Sequence, residues 1–337
     1  MGNPYELAKN ILLTETDAPV AGRFTSMDLY GVSAGENRLT DNGDDRFHLE
    51  NDSGTGDITL YHVFPGIELV YNDMHMAYCN KHQQPAPHVM EINYCKEGRC
   101  ECLFRGRQYC YMSAGDLSFC SLHSSAHQSE FPTSHYHGIT VTIDFSAVSK
   151  EMKGVLELLA VDLARIQSLS LANTFTVIRA EATVEHIFSE LYKAPAAIRR
   201  GYIRVKVLEL LLILTGLDPT EDPEKRPYFP AAQVETIKSL HAFLVEHFSE
   251  HYTIGELSER FSISPTVMKK CFHGVYGEPI YAYMKKYRLQ VAERLLRESD
   301  LSIGEIAAQI GYLNPNKFTS AFCAEYGVPP TMYRKKV

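Results

Sequence analysis

Residues 253–257 read Thr253-Ile254-Gly255-Glu256-Leu257, and residues 302–306 read Ser302-Ile303-Gly304-Glu305-Ile306. The two stretches open the same pattern of helix cap, apolar face, turn and helix stop. Four residues that follow the first stretch recur 50 positions later: Phe272, Tyr276, Gly277 and Pro279 return as Phe322, Tyr326, Gly327 and Pro329. A pattern that repeats with its caps and stops indicates a duplicated structural unit. Residues 231–337 are therefore predicted to contain one supersecondary motif twice.

Each copy is predicted to be a helix-turn-helix unit, over residues 253–277 and 302–327. Both begin with a residue pair at capping-box spacing, Thr253 with Glu256 and Ser302 with Glu305. A second capping residue, Ser264 or Asn314, then precedes a proline at the first helical position, where no amide hydrogen bond is lost. Two short helices joined by a tight turn place the second helix in the major groove of DNA.

The outward residues of each second helix are found by removing those that face the core. Eight remain: Thr266, Lys269, Lys270 and His273 in the first copy, and Asn316, Lys317, Thr319 and Ser320 in the second. Lysine can bind guanine, asparagine can bind adenine, and serine or threonine hydroxyls can bind either base. We predict that these eight residues, called the reading residues below, contact bases. The alternative is a pair of solvated helical faces, and the two copies with matched caps and stops weigh against it.

The second copy also carries a known signature. It reads Ile303-Gly304-Glu305-Ile306-Ala307-Ala308-Gln309-Ile310-Gly311-Tyr312 and continues with Phe318, Phe322, Tyr326-Gly327-Val328-Pro329-Pro330 and Tyr333-Arg334. This pattern resembles the signature of the AraC/XylS transcriptional regulators, and the resemblance extends over residues 234–335, both copies and the segment between them. It implies two helix-turn-helix units, joined by a long helix, that read two successive major-groove segments on one face of DNA.

The resemblance also places residues on the DNA backbone. Five are predicted to contact phosphates: Ser264, Asn314, Lys285, Lys286 and Arg288. The last three belong to residues 279–297, whose apolar stripe fits the connecting helix, and a solvated basic face is their alternative. The family's base-contacting positions coincide with the reading residues except His273. Many relatives have arginine or glutamine where Lys269 and Lys270 stand, so the resemblance implies the docking but not the DNA sequence that is read.

Charge differs between the two parts of the chain. Residues 232–337 hold 13 Lys and Arg against 11 Asp and Glu, whereas the rest holds 20 against 30. The acidic excess therefore lies outside the predicted DNA reader, and a balance of +2 predicts weak, salt-sensitive non-specific DNA binding. The 337 residues, 45% of them hydrophobic, are enough for two or three globular domains.

Short alternating or apolar runs follow one another between Asp57 and Phe145, which predicts about eight strands. They suggest a barrel or jelly roll, and Glu97-Gly98 and Gly115-Asp116 resemble the turns of a cupin-type barrel. The predicted fold class is α+β with several domains. These are a cupin-like β-barrel or jelly roll over 1–147, with 1–56 poorly placed, a helical region over 148–217, a linker over 218–230, and an all-α DNA-binding domain over 231–337.

The barrel is predicted to bind a small-molecule effector in its interior. The candidate contacts are His88, Glu91, Tyr94, Arg99 and Tyr109. Strand parity decides this prediction, because a slip of one residue would turn each of these side chains outward.

No metal or other cofactor is predicted. Catalytic cupins need two histidines one residue apart ahead of a glutamate. In this chain Met90 stands where the partner of His88 is needed, and no glutamate follows the pair His135 and His137 shortly. The other histidines of the region are interpreted as wall or loop residues: His123 and His127.

Five cysteines fall close together: Cys95, Cys100, Cys102, Cys110 and Cys120. A hairpin loop at residues 105–107 would place Cys102 opposite Cys110, which could serve metal binding or redox sensing. Because no Cys-x-x-Cys spacing occurs, ordinary strand-core cysteines are the favoured interpretation.

Residues 148–217 have a helical period. One amphipathic helix is predicted across residues 155–166, a second across 184–191, and a third, apolar on nearly every side, across 198–214. In the family, helices after the barrel commonly pair two subunits, so we predict a homodimer through 148–217. Simple coverage of the barrel is an equally weighted alternative.

The chain is predicted to be a cytoplasmic, effector-controlled transcription regulator and not an enzyme. Residues 5–13 lack the basic start of a secretory signal, and the apolar run over 205–217 is too short for a membrane span. The predicted partners are double-stranded DNA, a small-molecule effector and a second copy, with RNA polymerase as a further candidate. The alternatives are a cupin-type metal enzyme with an appended DNA-binding module, and a constitutive regulator without an effector.

Overall fold

The computed structural model describes residues 26, 39–41, 44–80, 86–104, 108–122, 128–171, 176–218 and 227–335. The predicted hairpin loop at 105–107, His123, His127 and residues 219–226 of the predicted linker lie outside the described residues. The chain forms two compact units that divide between Tyr228 and Phe229. The first unit is rich in strands and the second is built from helices, which confirms the predicted fold class.

The described part of the first unit contains eleven strands. They are β1 Leu39–Asp41, β2 Asp44–Asn51, β3 Gly54–Phe64, β4 Ile67–His75, β5 Tyr78–Asn80, β6 Ala86–Phe104, β7 Gln108–Ser113, β8 Asp116–Leu122, β9 Gln128–Glu130, β10 Tyr136–Asp144 and β11 Thr176–Arg179. The main sheet runs β1-β2-β3-β4-β10-β6-β7, β8 pairs with β6 and β11, and β5 pairs with β9. The pairings are antiparallel.

Strand β6 is longer than the sequence predicted. Two strands with a turn at Glu97-Gly98 were expected, but the structure has one strand of 19 residues. Glu97-Gly98 lies where the pairing with β10 shifts register, because His137 pairs with Glu97 whereas the next residue pairs with Cys95. Gly98 has φ +80°, and a Cβ there would collide with the backbone carbonyl of His135. Glycine thus serves a bulge here and not a turn.

The sheet has a separate apolar core on each face. The outer face packs against four helices, α1 Lys150–Leu158, α2 Leu163–Leu171, α3 Ala182–Tyr192 and α4 Arg199–Thr215. The core between them includes Phe119 and Ile139 from the sheet and Phe188 from α3. The other face, which we call the inner face, buries Phe47, Leu60, Met74, Cys95 and Cys110 among others. Alternation along each strand therefore decides whether a side chain meets the helices or the inner core.

The helical region differs from the prediction in two places. The helix expected across residues 155–166 is broken into α1 and α2, and Ala160 between them has φ +58°. Strand β11 interrupts the region and pairs with β8. Its residues Thr176, Val177 and Ile178 are β-branched, which favours a strand.

The second unit begins with the two-residue strand β12 Phe229–Pro230 and continues with seven helices within residues 231–335. They are α5 Ala231–Glu246, α6 Ile254–Arg260, α7 Pro265–Tyr276, α8 Ile280–Glu298, α9 Ile303–Gln309, α10 Pro315–Tyr326 and α11 Pro330–Arg334. Within the described ranges of the whole chain, no helix has the length and apolar character that a bilayer crossing requires.

Candidate nucleic-acid interface

Both helix-turn-helix units start with the same capping box. The backbone N–H groups of Thr253 and Ser302 each donate to a glutamate carboxylate three residues on, at 2.7 Å, and the cap hydroxyls accept from Glu256 N–H and Glu305 N–H at 3.2 Å. Hydrogen bonds from the cap residue lower the pKa of both glutamate carboxyls. The sequence prediction of matched first helices is therefore confirmed in α6 and α9.

The second helices are also capped and stopped alike. Ser264 Oγ accepts from Val267 N–H at 3.4 Å, and Asn314 Oδ1 accepts from Asn316 N–H at 2.9 Å. Proline follows each cap. Helices α7 and α10 end at glycines in the left-handed conformation, Gly277 and Gly327.

The turns share a backbone conformation although their residues differ. Ser262 in the first helix-turn-helix unit and Gly311 in the second helix-turn-helix unit have positive φ, of 50° and 84°. The next residue donates its N–H to the carbonyl five positions earlier, Ile263 to Ser258 at 3.2 Å and Tyr312 to Ala307 at 2.8 Å. Both turns are therefore Schellman-type helix stops.

We expect Gly311→Ala to destabilise the second helix-turn-helix unit. The left-handed conformation alone costs a non-glycine residue about 1–2 kcal/mol, and the new methyl group would also collide with the carbonyl oxygen of Ser249. The measurement is the free energy of unfolding in urea. Gly304→Ala is the matched control, because its Cβ would meet only Ser302 Oγ, 4.0 Å away. Equal stability of the two variants would contradict the account of this turn.

Helix α7 separates a buried face from a polar face. Met268, Cys271 and Phe272 are fully buried, and burial raises the pKa of the Cys271 thiol to about 12. The four predicted reading residues of this helix are exposed: Thr266, Lys269, Lys270 and His273. Beneath them, His241 of α5 stacks on Tyr276 with ring centroids 4.3 Å apart, and burial lowers its pKa to about 4.

Helix α10 repeats this arrangement. Phe318 and Phe322 are fully buried against α8 and α9. Three reading residues are exposed, Asn316, Lys317 and Ser320, whereas Thr319 is half-buried. The Ser320 hydroxyl donates to the Asn316 carbonyl at 2.9 Å. In both helix-turn-helix units, a buried core that contains aromatic residues thus supports an exposed polar surface.

Four of the five predicted phosphate contacts lie at helix caps or on α8 with part of the side chain accessible. Ser264 and Asn314 are exposed at the helix caps already described. On α8, Lys285 is half-buried, and Lys286 Nζ is exposed 3.4 Å from Glu278 Oε1. These four residues remain candidates for contacts with DNA phosphates.

The prediction for Arg288 is wrong. This residue is only 8% exposed. Its Nε donates to the Phe248 carbonyl at 2.6 Å, and its Nη2 donates to the Glu250 carbonyl at 2.7 Å. Arg288 therefore joins the connecting helix α8 to the segment between α5 and α6. The basic run of the sequence did not reveal this, because the helical period turns Arg288 inward whereas Lys286, two residues earlier, stays exposed.

The five predicted effector contacts do not converge. The Tyr94 ring is buried on the outer face and stacks on Phe188 of α3, with centroids 4.3 Å apart. Arg99 Nη1 donates to Ser113 Oγ at 3.0 Å, and Tyr109 alternates with the inner-face residue Cys110, so both belong to the outer side of β6 and β7. His88 is exposed. An interior site built from all five is therefore wrong.

Glu91 is the exception and lies on the inner face. It is 5% exposed and is the register neighbour of Thr142. The next inner-face positions are also polar: Asn72 Nδ2 donates to Thr140 Oγ1 at 3.1 Å, and Thr140 Oγ1 donates to Asn93 Oδ1 at 2.8 Å. The sequence analysis missed this row, because its residues come from three separate strands.

A second polar network lies at the same end of the inner face. His62 lies between two carboxylates, with Nε2 3.3 Å from Asp45 Oδ2 and Nδ1 3.1 Å from Glu68 Oε1. Hydrogen bonds to Asp45 and Glu68 raise the pKa of His62 to about 9. Ser26 links Glu68 to Thr142 by donating its N–H to the carboxylate and its hydroxyl to Thr142 Oγ1.

Three of the five cysteines are buried in strands, as the strand-core interpretation predicts, namely Cys95, Cys102 and Cys110, whereas Cys100 and Cys120 are half-buried. Cys102 pairs with Cys110 in register, as the predicted hairpin required. Burial raises the pKa of the Cys95 and Cys102 thiols. Thiols kept protonated in this way are poor nucleophiles and poor metal ligands.

Comparisons with known proteins concern mainly the second unit. The profile of a helix-turn-helix domain family matches residues 257–336. The regulator ExsA of Pseudomonas aeruginosa is 27% identical over 128 residues, which are 38% of this chain and 46% of that protein. The transcriptional activator RhaR of Cronobacter sakazakii is 34% identical over 94 residues, which are 28% of this chain and 30% of that protein. The chain thus spans less than half the length of these curated relatives.

A solved structure of the DNA-binding domain of AdpA in complex with a target DNA aligns with 30% of this chain and 91% of its own, at 26% identity and a TM-score of 0.29. The family profile and the sequence relatives agree with the signature in residues 303–334. Residues 257–336 therefore match a helix-turn-helix domain family, and the second compact unit is similar in sequence to DNA-binding transcription regulators.

Proposed function

We propose that this chain is a sequence-specific DNA-binding transcription regulator that inserts α7 and α10 into two successive major-groove segments. The observation that carries the proposal is the repeated arrangement of a polar outer face above a buried core, with equivalent caps and stops in the two helix-turn-helix units. A helix fits the major groove, and lysine, asparagine and hydroxyl side chains can bind base edges there.

The connecting helix α8 holds the two helix-turn-helix units in a fixed relative position. Met284 is buried, and Leu289, Val291, Ala292 and Leu296 belong to the core of the second compact unit. Arg288 ties the middle of the same helix to the backbone ahead of α6. A rigid connection favours simultaneous docking, because little conformational freedom is left to lose on binding.

We expect Lys270→Ala to weaken binding to the cognate site by about 1–3 kcal/mol, since a lysine that binds guanine contributes about that much discrimination. The measurement is a titration of purified protein against labelled cognate and random DNA. Lys153→Ala, which removes an exposed lysine from the first unit, is the charge-matched control. An equal loss on cognate and random DNA would show that Lys270 contacts only phosphate.

The first unit is proposed to bind the effector on its inner face, near Glu91. A buried carboxylate beside the Asn72–Thr140–Asn93 row offers hydrogen-bonding groups inside an otherwise apolar core. Control of DNA binding requires different effector affinities in two states, with a coupling typically of about 1–3 kcal/mol. The test measures the melting temperature of the chain against a panel of metabolites. One compound should raise the melting temperature of the wild-type chain and leave that of Glu91→Gln unchanged, whereas a constitutive regulator would respond to none.

Pairing of two copies through residues 148–217 is part of the same proposal. Helix α4 exposes Val205 and Leu212, which are 63% and 47% exposed and two turns apart, and α1 exposes Leu158. Large apolar side chains aligned along a helix favour contact with another protein surface. RNA polymerase remains a further candidate partner of the DNA-bound form.

A further inference from the structure

Three histidines meet on the outer face at one end of the sheet. His75 ends β4, His137 lies in β10, and His135 directly precedes β10. The strand register places His137 beside Asp73 of β4 on one side and beside Glu97 of β6 on the other. The five residues, His75, His135, His137, Asp73 and Glu97, therefore lie in or next to three adjacent strands and share one face.

The imidazoles are close enough to share one ion. One nitrogen from each of His75, His135 and His137 lies within 4.8 Å of the other two. The ring centroids of His135 and His137 are 4.6 Å apart, and each lies 5.3 Å from the centroid of His75.

Carboxylates complete the surroundings. Asp73 Oδ1 lies 2.9 Å from His75 Nε2 and 2.6 Å from His137 Nε2. Glu97 Oε2 lies 3.7 Å from His135 Nε2 and 3.9 Å from His137 Nδ1. The Nε2 atom of His137 is buried and has no hydrogen bond of good geometry, despite its distance from Asp73. A nitrogen in this position suits a bond to a cation that Asp73 also contacts.

The backbone holds these groups in place. The bulge at Glu97-Gly98 lets β6 approach His135 closely, and Arg99 N–H donates to the His135 carbonyl at 3.3 Å. The side chain of His75 is 57% exposed and can rotate toward the other two. Tetrahedral ligands about 2.0–2.1 Å from Zn²⁺ stand about 3.4 Å apart, so a small rotation closes the site.

We propose that His75, His135 and His137, with Asp73 as the fourth ligand, bind one divalent transition-metal ion of the Zn²⁺ class. Imidazole nitrogens select Zn²⁺, Ni²⁺ or Cu²⁺ over Mg²⁺ and Ca²⁺, which prefer oxygen ligands. Glu97 adds negative charge beside the site, 3.7 Å from His135 Nε2 and 3.9 Å from His137 Nδ1. This site lies on the face opposite to Glu91 and is independent of the proposed effector site. If this proposal holds, the prediction that no metal binds applies only to the barrel interior.

The test uses the full chain freed of metal with a chelator. Zn²⁺ titrated by calorimetry is expected to bind with a stoichiometry of one and to raise the melting temperature, whereas Mg²⁺ gives no signal. Co²⁺ is expected to give a visible spectrum typical of nitrogen and oxygen ligands, without the thiolate band that the cysteines would produce. A spectrum with that band would overturn the assignment.

Variants locate the site. His75→Gln and His137→Gln are each expected to weaken Zn²⁺ binding on the order of 100-fold, as expected when a ligand or its support is lost. His48→Gln is the matched control, because His48 is an exposed histidine on β2 with its own partner Asp57. Melting of the metal-free variants shows whether they remain folded. Absence of Zn²⁺ binding in the wild-type chain, or equal binding in all three folded variants, would overturn the proposal. No DNA is present, so this result does not depend on the proposed regulator function.

Discussion

Arg288→Ala is expected to lower the free energy of unfolding of the second unit by about 3–6 kcal/mol. A hydrogen bond to a charged donor contributes about 1.5–3 kcal/mol, and Arg288 makes two. The substitution also leaves the carbonyls of Phe248 and Glu250 without this donor. Urea unfolding, followed by circular dichroism of the full chain, measures the loss.

Arg294→Ala is the matched control for this substitution. Arg294 lies on the same helix and is exposed, so removing it changes the charge equally and should alter stability by no more than about 0.5 kcal/mol. The opposite outcome, unchanged stability of Arg288→Ala with weaker DNA binding and a shallower salt dependence, would restore a phosphate-contacting role.

The double variant Lys270→Ala with Asn316→Ala is expected to lose about 2–6 kcal/mol of binding free energy at the cognate site. Each residue belongs to a different reading helix, each lost base contact costs about 1–3 kcal/mol, and distant substitutions add. Both side chains are exposed, so the melting temperature should stay unchanged. Competition binding with cognate and mismatched DNA measures the effect.

Additivity itself is the informative result. If both helices contact bases in one complex, the loss in the double variant equals the sum of the two single losses. A double variant no weaker than Lys270→Ala alone would mean that α10 does not read DNA, and the proposal of two successive major-groove contacts would be wrong.

The second unit could be predicted in detail because its signals are local. The caps Thr253 and Ser302, and the stops Gly277 and Gly327, specify helix ends within a few residues of sequence. The main error, Arg288, arose because a basic run on a helix does not show which of its members turns inward toward the backbone carbonyls of another segment.

The first unit was harder to predict because its sites depend on strand register. The bulge at Glu97-Gly98 merges two predicted strands and alters side-chain parity, which moves Arg99 to the outer side. His75 is about sixty residues from His135 and His137 in sequence, and only the β4–β10 pairing brings them together. Such contacts between distant strands leave no local pattern.

Selection of genomic DNA fragments by the purified full chain at low ionic strength tests the central claim most directly. The account predicts that bound fragments share two short sequence motifs about 10 base pairs apart, one for each reading helix, and that K270A/N316A no longer enriches them. Failure of the folded wild-type chain to enrich any fragment, with or without cell extract as a source of effector, would contradict the account.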